Sequence, residues 1–262
     1  MDIDLTGKRA MVCGSTQGIG KAVALELASL GASVTLVARN EESLQRVKSE
    51  LTVSAGQRHA VIAADFNAPW IVRDKVGRAI MDSGPVHILV NNTGGPKAGP
   101  VLDAEPEEFV TAFSQHLLCN HLLAQTVIPG MKAMRYGRIV NIISTSVKQP
   151  IPALGVSHTV RGAVASWAKT LAAEVAPFGI TVNNVLPGMT KTRRLDYVIR
   201  SRAERTGKTV EEITSDMIAE VPAGRYAEPR ELAVVVAFLC SPAASYVNGV
   251  SLPVDGGRTT TF

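Results

Sequence analysis

Apolar and polar positions along the chain fall into two alternating textures. Short, nearly continuous apolar runs occupy residues 9–13, 33–38, 59–64, 86–91, 138–143, 181–185 and 250–254. Between them lie longer stretches with helical spacing, at 18–30, 41–54, 70–82, 106–134, 156–177, 194–220 and 229–241. Runs that are continuous rather than alternating suit strands covered on both faces. Strand–helix alternation over the whole length predicts a single α/β domain built on one doubly wound parallel sheet flanked by helices. Stop and start signals agree. Gly31 and Gly179 follow helical stretches, and Pro106 opens one where its missing N–H costs nothing. No linker, repeat or low-complexity segment breaks the pattern.

Of the 262 residues, 46% are hydrophobic and 19% charged, which supports a sizeable core and argues against disorder. The net charge of +4 is thinly spread. The densest basic cluster is Lys191-Thr192-Arg193-Arg194, followed by Arg200 and Arg202. It suits either a solvated helix face or an anionic substrate. No extended basic stripe appears, so nucleic acid is not an expected partner. Cys13, Cys119 and Cys240 are far apart and lack metal-ligand spacing. They read as buried small hydrophobes in a reducing compartment, and no metal is expected. The acidic N-terminus has no signal-peptide pattern and no apolar run reaches membrane-spanning length. A cytoplasmic protein, not membrane-bound, is therefore expected.

The first strand runs into Gly14-Ser15-Thr16-Gln17-Gly18-Ile19-Gly20 and then into a helix. A glycine-rich turn at a helix N-terminus brings backbone N–H groups close to a phosphate. The expected ligand is the diphosphate of a dinucleotide. The second strand ends in Val37-Ala38-Arg39, with no acid to bond a ribose 2′-hydroxyl. A basic residue there suits a 2′-phosphate, so NADP is favoured over NAD with Arg39 as the planar fork. A surface arginine at the turn is the plain alternative. Asp65 and Phe66 end the third strand, and Asp65 suits either an adenine amine or a helix cap. The fourth strand ends in Asn91-Asn92-Thr93-Gly94-Gly95, at the sheet edge where such folds bind ligands.

These motifs are joined by Gly137-Arg138-Ile139-Val140-Asn141-Ile142-Ile143-Ser144, Gly179-Ile180-Thr181-Val182-Asn183, Pro187-Gly188-Met189-Thr190-Lys191-Thr192 and Val254-Asp255-Gly256-Gly257. Together they resemble the short-chain dehydrogenase/reductase family along essentially the whole chain, and most nearly its 3-oxoacyl-carrier-protein reductase-like branch. The resemblance implies a Rossmann-type domain with seven parallel strands, a nicotinamide cofactor, a small carbonyl or alcohol substrate and a homotetramer. It implies cofactor contacts from Asn92, Gly94 and Arg161, and from Pro187, Gly188, Thr190 and Thr192 near the nicotinamide. It also implies a substrate-covering lid over residues 192–221.

The family's catalytic group is Asn, Ser, Tyr and Lys. Ser144 matches the serine. Ser157 stands at the tyrosine position, Arg161 at the lysine position and His116 at the asparagine position. Lys169-Thr170-Leu171-Ala172-Ala173-Glu174-Val175 aligns downstream without a gap, and none of Tyr136, Tyr197, Tyr226 or Tyr246 has Lys four residues on. A serine hydroxyl is a poor general acid near neutrality. Arg161 does not relay protons, but it can hold a ribose and stabilise a developing alkoxide. His116 and Lys148 are the candidate replacement acids, with His116 expected to titrate near neutrality. A satisfied helix histidine and a solvated loop lysine are the plain readings of the same two residues. Two functions follow. The favoured one is an NADP-dependent oxidoreductase with a rebuilt proton-donating site. The other is a dinucleotide-binding member, catalytically weak or inactive, with a regulatory or assembly role.

Overall fold

The computed structural model describes residues 1–261. In chain order its elements are β1 (Arg9–Cys13), α1 (Gly18–Ser29), β2 (Ser33–Ala38), α2 (Glu41–Ser49), β3 (Ala60–Ala63), α3 (Pro69–Ser83), β4 (Ile88–Asn91), α4 (Pro106–Phe113), α5 (Cys119–Met134), β5 (Gly137–Ile142), α6 (Gly155–Val175), β6 (Ile180–Pro187), α7 (Arg193–Thr206), α8 (Val210–Ala219), α9 (Pro229–Cys240) and β7 (Ser251–Val254). The strands pair in parallel in the order β3-β2-β1-β4-β5-β6-β7. The chain moves outward from β1 to β3, then returns to start again at β4. That reversal opens a crevice beyond the carboxyl ends of β1 and β4.

The continuous apolar runs are explained by helices on both faces. Ala10 and Val12 of β1 pack into one core layer with Val23, Leu27, Leu232 and Val236 of α1 and α9. Met11 and Cys13, pointing the other way, join Val72, Leu123, Val127 and Ala172 of α3, α5 and α6. Both sides of a strand are thus buried, so neither side is polar.

A row of amides interrupts this apolar interior. Asn91, Asn141 and Asn184 are register partners on β4, β5 and β6, and Ser251 of β7 stands opposite Asn184. The Asn91 amide donates to Asn141 at 2.9 Å, Asn141 donates to Asn184 at 2.9 Å, and Asn184 donates to the Ser251 hydroxyl at 3.1 Å. Slipping any strand by one residue would send its amide to the opposite face and break the row.

Three predicted elements differ in detail. The helix expected over 106–134 is interrupted by a π-helical turn, Ser114–Leu118, which inserts extra backbone and carries His116. The helix expected over 194–220 is two helices. Gly207 takes φ +70° at the break, and Thr209 with Glu212 forms a capping box that starts α8. The pair has its own small core of Leu195, Ile199, Ile213, Met217 and Tyr226. The helix expected over 41–54 stops at Ser49, whose hydroxyl bonds back to the Arg46 carbonyl at 2.7 Å, ahead of β-branched Thr52 and Val53. Among the described residues no helix is long and apolar enough to cross a membrane.

Asn141→Leu keeps the number of side-chain heavy atoms but orphans a buried donor on Asn91 and a buried acceptor on Asn184. The expected loss is about 2–5 kcal/mol, read by urea denaturation. A loss within error of wild type would show that the amide row does not hold the register.

Candidate active site

A cleft of about 1100 Å³ lies beyond the carboxyl ends of the central strands. Gly14, Thr16, Gln17, Gly18 and Ile19 form one wall. Close backbone approach fixes the glycines here. A Cβ on Gly14 would lie 2.4 Å from the Asn92 carbonyl oxygen, and one on Gly20 would lie 2.2 Å from the Gly14 carbonyl oxygen. The Asn92 amide donates to the carbonyls of Cys13 and Gly14 at 3.3 and 3.2 Å, tying the end of β4 to the loop. Gln17 caps α1 without a side-chain bond, so the helix N-terminus is left for an outside acceptor. Ser15 and Gly20 do not line the cleft. Ser15 is fully buried with an unpartnered hydroxyl, and both residues shape the loop from behind.

Arg39 lines the cleft at the end of β2, is exposed, and makes no ion pair among the described residues. Its neighbour Asn40 caps α2 by accepting from the Ser43 N–H at 2.7 Å, which fixes the turn that presents Arg39. Phe66 lines the same end. Asp65 does not. Its carboxylate accepts from the backbone and side-chain amides of Asn67, both at 3.0 Å, so it acts as a turn cap here. On the opposite wall stand Gly94, Pro187, Gly188, Thr190 and Thr192. Thr192 caps α7, accepting from the Leu195 N–H at 3.3 Å, and packs against Gly18.

The other half of the cleft holds Ser144, Ser157 and Arg161. Ser157 and Arg161 are one turn apart on α6, so they share a face. The Arg161 Nε donates to the Ser157 hydroxyl at 3.2 Å, and its Nη1 donates to the Ile142 carbonyl at 3.1 Å. Ser144 follows β5, and its hydroxyl accepts from the Ser146 N–H at 3.1 Å. Both serine oxygens therefore act as acceptors within the protein, and both keep a proton to donate into the cleft. Burial, reinforced by the Arg194 charge, lowers the Arg161 pKa to about 10, which leaves it charged at neutral pH.

His116 differs from expectation. It is buried within the π-helical turn, its Nδ1 pairs with the Thr93 hydroxyl, and its Nε2 has no protein partner. Burial, then the charges of Arg161 and Arg194, lower its pKa to about 3. It is a neutral imidazole behind Thr93, not an acid that titrates near neutrality. Thr93 itself lines the cleft. Lys148 does not line it, and its carbonyl accepts from the Thr261 hydroxyl at 3.4 Å. Sequence reasoning passed over Thr93 and Arg194. Thr93 was visible as the residue between the paired asparagines and Gly94, whereas Arg194 was hidden in a basic cluster that also suits a solvated face. Among the described residues no tyrosine, histidine or cysteine lines the cleft.

The neutral histidines make stability depend on pH. His87 is likewise lowered to about 4, by burial and then by the charges of Lys8 and Arg9. Unfolded histidines bind protons near the ordinary value of about 6.5, which these folded ones refuse. Their contribution is complete above that value and is lost as pH falls toward the folded values. Thermal melts at about pH 7.5 and about pH 5 should therefore differ less for His116→Asn than for wild type. An identical acid-induced drop in Tm would contradict the neutral assignment.

Comparison with known proteins agrees with this geometry. Residues 14–259 match the family model described as Enoyl-(Acyl carrier protein) reductase. The 3-oxoacyl-acyl-carrier-protein reductase FabG of Vibrio cholerae is 34% identical over 256 residues, covering 97% of this chain and 98% of that protein. Among solved structures, the L-sorbose reductase of Gluconobacter frateurii, complexed with NADPH and L-sorbose, gives a TM-score of 0.92 at 31% identity and covers 100% of both chains. An actinorhodin polyketide ketoreductase variant with NADPH gives 0.90 at 32% identity, covering 97% of each chain. With the sheet order, the glycine loop and the strand-end motifs all in place, the chain belongs to the short-chain dehydrogenase/reductase family of oxidoreductases, in its 3-oxoacyl-acyl-carrier-protein reductase-like branch.

Proposed function

We propose that this protein is an NADP-dependent oxidoreductase that interconverts a carbonyl and an alcohol, with Ser157 and Arg161 serving where relatives of this family use Tyr and Lys. The observation that carries the reading is one continuous cleft, from the glycine loop and Arg39 at one end to Ser144, Ser157 and Arg161 at the other. The residues present fit a dinucleotide. The α1 N-terminus and glycine loop suit its diphosphate, Arg39 suits a 2′-phosphate, and Thr190, Thr192, Pro187 and Gly188 line the far wall. The NADPH-bound relatives support the choice of NADP over NAD.

When bound, the nicotinamide supplies hydride chemistry, and the protein supplies position and electrostatics. The hydroxyls of Ser144 and Ser157 would donate hydrogen bonds to the carbonyl oxygen, and the alkoxide formed there would take its proton from solvent water. The Arg161 guanidinium offsets the negative charge that develops there. The lid over residues 192–221 borders the site, with Leu195, Val198 and Met217 on its cleft side. Lacking an acid of matched pKa typically costs roughly 10²–10⁴-fold in rate, so turnover is slow but not abolished. A rival reading, a member that binds the dinucleotide without turnover and serves regulation or assembly, is favoured by the neutral, withdrawn His116. Three buried free cysteines suit a reducing compartment such as the cytoplasm, and the exposed apolar Val110 and Phe113 of α4 suit assembly into a homotetramer.

Fluorescence titration should show tighter binding of NADPH than of NADH. Arg39→Asp should weaken NADPH by about tenfold or more while changing NADH little. Failure of both dinucleotides to bind would remove this reading and its rival together. Binding without NADPH consumption on any ketone or 3-oxoacyl thioester would select the rival.

A further inference from the structure

Some charged groups in and around the lid find partners. Arg202 pairs with Glu220, Arg258 with the same carboxylate, Lys208 with Asp216, and Lys191 with Glu228. Arg39, Arg193 and Arg205 line the cleft without an ion pair among the described residues but are exposed to solvent, whereas two further unpaired guanidinium groups there, Arg161 and Arg194, are withdrawn from it. Arg161 is only 8% exposed, and both of its protein acceptors are neutral, a serine hydroxyl and a backbone carbonyl. Two of its five N–H groups are used there, leaving the rest without a protein acceptor. Arg194 is half-buried beside Gly95 and lies against the Tyr197 ring, 5.2 Å from its centroid. It makes no ion pair among the described residues. Both arginines line the same cleft. They stand near enough for the Arg194 charge to depress Arg161 and for both charges to depress His116.

A buried charge without a counter-charge is costly, and a protein that keeps two together leaves the compensation to a ligand. The diphosphate end of the cofactor does not meet this need. Its cradle is on β1, whereas Arg161 is anchored to the end of β5, two strand spacings away or about 9–10 Å. The 2′-phosphate position at Arg39 is farther still, on β2. The nicotinamide ribose would offer Arg161 neutral hydroxyls, which accept hydrogen bonds but carry no counter-charge. The group left to bring a negative charge to Arg161 is the substrate.

We propose that Arg161 and Arg194 clamp a carboxylate, so that the protein acts on oxo acids, or the corresponding hydroxy acids, whose carboxylate lies close to the reacting carbon. A carboxylate presents two oxygens in one plane, which matches the fork of unused Arg161 N–H groups. Apolar Ile143, Ile151, Met189 and Leu195 line the cleft nearby and would take the rest of the molecule. The proposal rests on the oxidoreductase reading above for its chemistry, but its binding test does not.

The full-length chain, with and without saturating NADPH, is titrated with short, branched and aromatic 2-oxo and 3-oxo acids, each beside its methyl ester and amide, and with inorganic phosphate. Thermal shift reads binding, and NADPH absorbance reads turnover. The expected result is that acids raise Tm where their esters and amides do not. Arg194→Gln should weaken acid binding by about tenfold or more with NADPH affinity unchanged, and Arg194→Lys should recover part of it. Acid binding without NADPH oxidation would support the clamp while removing the oxidoreductase reading. Oxidation of NADPH by neutral ketones with no preference for acids would keep that reading and overturn the clamp. Equal binding of acids and esters, tighter binding of phosphate than of any acid, or a loss confined to NADPH affinity in Arg194→Gln would each overturn it.

Discussion

Asn91, Asn141 and Asn184 share amide hydrogen bonds across three neighbouring strands, and Ser251 carries the row to a fourth. In a largely apolar interior, an amide is tolerated when its partners are in register. The row therefore sets how far each strand extends beyond its neighbours. Asn92, Ile142, Ser144 and Pro187 follow or end these same strands, and all of them line the cleft. The placement of Ser144 relative to the glycine loop is a consequence of that register. So is the anchoring of Arg161 on the Ile142 carbonyl.

Within that frame the site is organised by charge rather than by proton affinity. The one histidine close to it is buried and neutral, and the hydroxyls of Ser144 and Ser157 hold protons too tightly to give them up near neutrality. Arg161 and Arg194 are fixed cations in a partly dry cleft, where a charge stabilises a developing anion more strongly than in water. Their mutual repulsion, and the cost of burying them, is the tension that the proposed carboxylate would relieve. The strained backbone of Ala153, at φ +60°, also lines the cleft, just ahead of α6, and Gly99 donates to its carbonyl at 2.8 Å.

Much of this was legible in the chain itself. Two-sided burial left its mark as continuous apolar runs, so all seven strands and the parallel sheet were readable. The glycine loop and Arg39 are found by position at a strand end, whereas Ser144, Ser157 and Arg161 are found only through the resemblance to the family's catalytic pattern. The rest depended on contacts that spacing does not encode. The π-helical turn that withdraws His116 arises from a local change in hydrogen-bond pattern with no sequence period of its own. Asp65 suits a turn cap or a ligand contact equally in the sequence, and in the structure its Oδ1 accepts both bonds from Asn67. Arg194 looked like its exposed neighbours Arg193 and Arg200, and what separates them is which side of α7 packs inward. Asn141 is a polar residue in a strand, whose buried partners on β4 and β6 are distant in sequence.

Transfer of deuterium from NADPH labelled at the nicotinamide C4 tests the central claim most directly. Incubated with the protein and a carbonyl compound that it accepts, the label should appear on the carbon that becomes the alcohol carbon, and Arg161→Ala should abolish the transfer with NADPH still bound. Tight NADPH binding with no label transferred to any carbonyl acceptor would contradict it.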